Sequence, residues 1–196
     1  MLCLQTDPRV VAIAKNCRYY SPKFSPKDVP AFYDLSGITE NAEIFQTTMD
    51  VFIDRYRAQI ATGKGPTVIV GYDARGFVVG PPIALALGIP FVLLRKAGKN
   101  PGPLVESSAY SKEYAEHQPD RMCVRLGAIV PGDRVVLIDD LIATGGTALS
   151  GARPRFCPDL PPAGWIPMQR YRQHPFACQT VCRPRRFKLV LPAPRD

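Results

Sequence analysis

Apolar positions along the chain change their spacing at about residue 65. Before it they recur at helical intervals; after it they cluster in short runs of four to six. Asp7 as N-cap and Pro8 at the first helical position predict a helix carrying Val10, Val11, Ile13 and Ala14. That helix is expected to end near Tyr19, because Ser21-Pro22 and Ser25-Pro26 force extended or turn backbone. Residues 21–38 read as a proline-punctuated loop. A second helix is predicted over residues 39–61, with Phe45, Met49, Phe52, Ile53, Tyr56 and Ile60 on one stripe and Gly63 and Gly65 ending it. The stripe reads as core.

The short runs predict strands. Residues 67–71 (TVIVG) form the first, followed by the loop YDARG and a helix over 77–87 closed by Gly88. Residues 89–94 form a second strand, and 134–138 (RVVLI), after the turn Pro131-Gly132-Asp133, a third. Between them, residues 95–121 are polar and show little periodicity, as a functional flap would. Strands alternating with helices predict an α/β fold with a doubly wound, mostly parallel sheet. After Gly151 the pattern fails: no period of 3.6 persists, and only residues 187–191 (FKLVL) look strand-like.

Composition sharpens that break. The 196 residues suit one α/β domain, and 46% apolar content supports a buried core. Residues 152–196 hold nine basic residues against two acids, a net of +7 out of the whole chain's +8. The same stretch holds nine of 21 prolines and three of six cysteines. The organisation expected is therefore a domain over 1–151 and a divergent, poorly ordered Arg/Pro-rich tail over 152–196. No run approaches the ~20 apolar residues that span a bilayer. The amino terminus lacks a signal-peptide pattern, the carboxyl terminus lacks a peroxisomal tripeptide, and irregularly spaced cysteines suit reduced thiols. A cytoplasmic location is expected.

The most informative segment is VVLIDDLIATGGTALSG, residues 135–151. A buried strand ends in adjacent carboxylates, Asp139 and Asp140, and then a loop of small residues, Ala143, Thr144, Gly145, Gly146 and Thr147. At the carboxyl edge of a parallel sheet, ligands bind. Glycines let backbone N–H groups approach an anion, and the threonine hydroxyls add donors. Carboxylates would repel that anion, so they suit vicinal sugar hydroxyls or a hydrated Mg²⁺. A phosphate at one end and a diol at the other describe a ribose 5-phosphate. A plain turn with an aspartate N-cap is the bland alternative.

This strand–Asp–Asp–loop resembles the diphosphoribose-binding signature of the type I phosphoribosyltransferases. It lacks the Lys-Ser/Thr pair of a Walker loop. Residues 20–40 (YSPKFSPKDVPAFYDLSGITE), 71–102 (GYDARGFVVGPPIALALGIPFVLLRKAGKNPG) and 108–117 (SAYSKEYAEH) narrow the resemblance to the adenine phosphoribosyltransferases of kinetoplastid, protozoan type. It runs over residues 8–151 and does not extend into 152–196.

The resemblance implies AMP and diphosphate made from adenine and 5-phosphoribosyl 1-diphosphate, with Mg²⁺, in a homodimer. Arg75 sits on the YDARG loop, where a cation would neutralise diphosphate; a surface arginine capping the next helix is the alternative. In the family this loop often holds a non-proline cis peptide, here Asp73–Ala74. Lys96 and Lys99 add charge at the root of the flap, though a solvated face would carry the same residues. Glu113 alone would be only a solvated charge; the resemblance makes it the general acid/base closing over the adenine imidazole edge. It likewise gives Tyr114 a part in positioning the diphosphate. Adenine is implied to be held by main-chain groups near Val29, by stacking on Phe32, and by Ala143 opposite. Relatives usually carry Arg where this chain has Ala31, which removes one wall of that pocket.

The tail admits three readings. Its basic residues with Phe156, Trp165, Tyr171, Phe176 and Phe187 interspersed would suit nucleic acid. His174, Cys178 and Cys182 with Cys157 could bind zinc, at a spacing unlike a standard finger. The reading preferred is text from a shifted reading frame in GC-rich coding sequence. On that reading the family's closing helix and strands are lost, sheet edges lie open and stability is marginal. The rival functional class is a phosphoribosyl-binding or nucleic-acid-associated regulator without turnover. Small-molecule substrates, rather than nucleic acid or membrane, are the partners expected.

Overall fold

The computed structural model describes residues 7–24, 31–107, 121–141 and 150–151, and the backbone of 178–181 and 188–190. The chain divides into two compact units, with the boundary between Arg55 and Tyr56. No helix among the described residues is long and apolar enough to cross a membrane.

In the first unit, helix α1 (Pro8–Asn16) opens as its sequence requires: the Asp7 carboxylate accepts from the Arg9 N–H at 2.9 Å, and Pro8 needs no partner. It stops at Asn16, short of the expected end at Tyr19, because Cys17 is already extended. Residues read as helix end and loop instead form a two-stranded antiparallel ribbon, β1 (Arg18–Tyr20) and β2 (Phe32–Asp34), with Tyr20 opposite Phe32. A short helix α2 (Ser36–Thr39) follows, and α3 (Ala42–Ala61) then starts three residues later than expected. The Asn41 side chain sets that start, accepting from the N–H groups of Glu43 and Ile44 at 3.1 and 3.2 Å. Met49, Phe52, Ile53 and Tyr56 of the predicted stripe are buried.

The second unit is built on a seven-stranded sheet in the order β5-β6-β4-β3-β7-β8-β9. Its strands are β3 (Val68–Tyr72), β4 (Phe91–Lys96), β5 (Leu104–Glu106), β6 (Met122–Arg125), β7 (Val135–Asp139), β8 (Cys178–Val181) and β9 (Lys188–Val190). The parallel part is the centre, β4-β3-β7; the flanking pairs are antiparallel. The fold is thus α/β with a mixed sheet around a parallel heart. Three elements were not foreseen there: β5 lies inside the stretch read as structureless, β6 directly after it, and β8 inside the tail. β8 pairs along β7, covering an edge that the sequence reading left open. β9 matches the run seen at 187–191.

Helix α4 (Gly76–Leu87) lies against β3, β4 and β7, and Gly88 closes it at φ +66°. Its first turn sits directly on the sheet: a Cβ at Gly76 would lie 2.5 Å from the Ile138 carbonyl oxygen and 3.0 Å from Gly71 Cα. Those neighbours are backbone and cannot give way, so glycine is required for the helix to start where it does. This close approach aims the loop between β3 and α4 across the end of β7. On the opposite face Val68, Val70, Tyr72, Val92, Leu94, Val135 and Leu137 form the core. At the other end Thr67 ties the strands together, donating to Asp133 at 2.8 Å and accepting from the Arg134 N–H at 2.9 Å.

Candidate active site

Register brings the parallel strands to a common edge. Gly71 is opposite both Leu93 and Ile138, so the parallel pairing ends level at Tyr72, Leu94 and Asp139, with β4 running two residues further. Each then delivers polar residues to that edge: Asp73 and Arg75 from β3, Arg95 and Lys96 from β4, Asp139 and Asp140 from β7. The Asp73–Ala74 peptide is cis, as the resemblance implied.

The carboxylates are the electrostatic centre. Asp140 is 4% exposed and its Oδ2 accepts from Arg75 Nη1 at 3.1 Å. The Asp140 N–H donates to Asp139 Oδ1 at 3.0 Å, folding one carboxylate back over the next residue's backbone. Burial, then the neighbouring Asp140 charge, push Asp139 up to about 8. Burial also raises Asp140, against the opposing pull of the Arg75 guanidinium. Two carboxylates short of positive charge are a place for a hydroxyl-rich or cationic ligand. Hard oxygen donors at the end of a strand also suit a hydrated Mg²⁺, which keeps most of its waters and takes one or two carboxylates.

This geometry makes a pH prediction. An unfolded aspartate titrates near ~4. Between there and about 8 the folded chain holds a proton that the unfolded chain has lost. Raising pH through that window therefore destabilises the wild type relative to Asp139→Asn, which has no proton to lose. Urea denaturation of both at pH 5 and pH 8 should show the variant gaining relative stability at the higher pH; an unchanged difference would contradict the burial argument.

On β4, Arg95 Nη1 donates to the Lys99 carbonyl at 2.8 Å, and its Nε lies 3.8 Å from Asp73 Oδ2. Lys96 and Lys99 bracket a turn closed by the Lys99 N–H to the Lys96 carbonyl at 3.2 Å, with Gly98 at φ +79°. Asn100 anchors the turn's far side by donating to the Cys123 carbonyl at 3.2 Å. Arg95 is a residue that the sequence reading passed over. The available signal was its place in one basic run, RKAGK, at the end of an apolar strand.

Of the residues singled out from sequence, Arg75, Lys96, Asp139 and Asp140 share this edge, and Lys99 stands on the turn leaving it. Phe32 lies half-buried on β2 in the first unit, next to exposed Ala31. Val29, Glu113, Tyr114, Ala143, Thr144, Gly145, Gly146 and Thr147 lie outside the described residues, as do Cys157, His174 and Cys182 of the zinc reading.

Residues 34–153 match the phosphoribosyl transferase domain. The chain is 44% identical over 147 residues to adenine phosphoribosyltransferase 1, chloroplastic, of Arabidopsis thaliana, covering 75% of this chain and 56% of the relative. It is 42% identical over 150 residues to adenine phosphoribosyltransferase 1 of Triticum aestivum, covering 76% and 77%. Among solved structures it resembles the adenine phosphoribosyl transferase of Trypanosoma brucei in complex with AMP, pyrophosphate and ribose-5-phosphate. That match has a TM-score of 0.68 at 47% identity, over 74% of this chain and 60% of the other. The chain thus spans less than two thirds of two of these relatives.

Proposed function

The chain belongs to the phosphoribosyltransferase family, on its adenine phosphoribosyltransferase branch, and from that premise we propose that it forms AMP and diphosphate from adenine and 5-phosphoribosyl 1-diphosphate. The observation that carries the proposal is the Arg75–Asp140 pair, 3.1 Å apart where β3 and β7 end together. A cation beside a buried carboxylate, within the stretch that matches the family, supports diphosphate and a ribose diol as the ligands.

The residue roles follow from charge and position. Asp139 and Asp140 accept from the ribose hydroxyls and would hold hydrated Mg²⁺, which neutralises diphosphate charge when bound. Ala143, Thr144, Gly145, Gly146 and Thr147 offer backbone and hydroxyl donors to the 5-phosphate. Arg75, Lys96, Lys99 and Tyr114 take the diphosphate. Val29, Phe32 and Ala143 are the residues this reading assigns to adenine. In the reaction the anomeric C–O bond breaks, its electron pair leaves with diphosphate, and adenine N9 bonds to that carbon. Glu113 takes the proton from the imidazole edge. Most of the catalysis is positioning and charge compensation away from water, which would otherwise capture the ribosyl cation. A homodimer in the cytoplasm, serving purine salvage, completes the proposal.

The test is conversion of radiolabelled adenine to AMP by the full-length protein with 5-phosphoribosyl 1-diphosphate and Mg²⁺. Product that requires all three supports the reading. A chain that unfolds cooperatively on heating, binds ribose 5-phosphate and makes no AMP would instead be the regulator without turnover.

A further inference from the structure

Resting on that reading, we propose that Arg95 is a positioning residue of the diphosphate site. From one fixed point on β4 its guanidinium holds both the loop that carries Arg75 and the turn that carries Lys96 and Lys99. The strand register puts it there. β3 and β4 pair in parallel as far as Tyr72 opposite Leu94, and the next residues along the two chains are Asp73 and Arg95. The Asp73 N–H extends that ladder, donating to the Leu94 carbonyl at 3.0 Å. Gly71 and Leu93 are partners two positions earlier, so Asp73 and Arg95 fall on one face of the sheet, side by side and oppositely charged. On its other side Arg95 is the Cα partner of Cys123 on β6. The side chain therefore starts from backbone held by a strand on each flank.

Its two grips point different ways. Nη1 donates to the Lys99 carbonyl at 2.8 Å, closing over the turn that begins at Lys96. Nε lies 3.8 Å from Asp73 Oδ2, and it is buried with no hydrogen-bond partner among the described residues. A buried donor left in that state needs a reason, and here the facing carboxylate supplies one through its charge. A planar guanidinium serves both directions at once; a lysine ammonium, a single point on a flexible stem, does not. The charge matters as well as the shape. Asp73 stands two residues before Arg75, where an uncompensated carboxylate would repel the diphosphate assigned to Arg75. Arg95 cancels that repulsion and ties down the neighbouring lysine turn, without touching the substrate itself.

Arg95→Gln gives up both grips and strands the Asp73 charge. Calorimetry with inorganic diphosphate and Mg²⁺ is expected to show affinity weakened about tenfold or more in Arg95→Gln, and severalfold in Arg95→Lys. Affinity for ribose 5-phosphate should stay within about twofold, a split that general loosening would not produce. Asp73→Asn separates positioning from direct contact. In the wild-type background it removes the partner of Arg95 and should weaken diphosphate binding; in Arg95→Gln it removes a stranded negative charge and should strengthen it. Unchanged diphosphate affinity in Arg95→Gln overturns the inference, as does a parallel loss of ribose 5-phosphate affinity. An Asp73→Asn effect of the same sign in both backgrounds overturns it too, and makes Arg95 a direct ligand instead. If Arg95→Gln does not fold, a wild-type diphosphate affinity in Arg95→Lys overturns it equally. A wild type that binds diphosphate but makes no AMP leaves the role of Arg95 standing and removes only the adenine activity; one that binds no diphosphate overturns the inference.

Discussion

Asp140→Asn is expected to lower kcat/KM for 5-phosphoribosyl 1-diphosphate by about 10²–10³-fold, while leaving the fold no less stable. The substitution keeps the shape and removes the charge. In the ligand-free protein that charge is a burden: Asp140 is 4% exposed, and burial raises its pKa despite Arg75. Neutralising it removes a desolvation cost and gives up one partly exposed ion pair, two changes of opposite sign. Activity suffers differently. On the proposed reading the carboxylate pair faces the ribosyl ring as positive charge develops there, and an amide cannot stabilise that charge.

Arg75→Gln separates the two roles of this pair. If Arg75 both contacts diphosphate and holds Asp140, the double variant should lose less than the product of the single losses, because each substitution already breaks the shared contact. Steady-state kinetics and thermal melts of the four proteins test this. Activity of Asp140→Asn within about threefold of wild type would sink the assignment.

The parts of this arrangement that could be read from sequence are those set by neighbours in the chain. The Asp7–Pro8 helix start, the Gly88 stop and the three central strands depend on local caps and apolar runs. All are found within one or two residues of the expected places. The ribbon of β1 and β2 could not be read this way. Each strand has three residues, the first is exposed throughout, and their pairing joins residues 12 to 16 apart across a proline-punctuated segment. β5 and β6 were hidden for a related reason: they pair with each other and with the end of β4 and show no long apolar run of their own.

At the site, residue types were legible and their meeting was not. Arg75 and Asp140 are 65 positions apart in sequence. Their contact depends on β3 lying between β4 and β7, and on Gly76 letting the helix start sit against Ile138. Arg95 escaped notice because strand alternation gives no sign that its guanidinium turns along the edge to grip the Lys99 carbonyl. Gly151 read only as the end of a motif, since the side chains that leave no room there for a Cβ, Tyr72 and Leu94, come from strands more than fifty residues upstream.

Glu113→Gln should produce a different signature from the Asp140 variant: kcat falls by about 10²–10⁴-fold, with the KM for 5-phosphoribosyl 1-diphosphate little changed. Glutamine matches glutamate in size and can still accept a hydrogen bond, so substrate contacts survive. It cannot take up the proton that adenine must lose as N9 forms its new bond, and the loss therefore falls on the chemical step. The same group must return that proton when AMP and diphosphate react backwards. Since a substitution cannot move the overall equilibrium, the forward and reverse values of kcat/KM must fall together. Measuring both directions guards against a slow product-release step hiding the effect. A variant within about threefold of wild type in both directions would remove Glu113 from the proton transfer. The ribosyl cation would then be captured by adenine without protein base catalysis, leaving charge compensation at the β3–β7 edge to carry the rate.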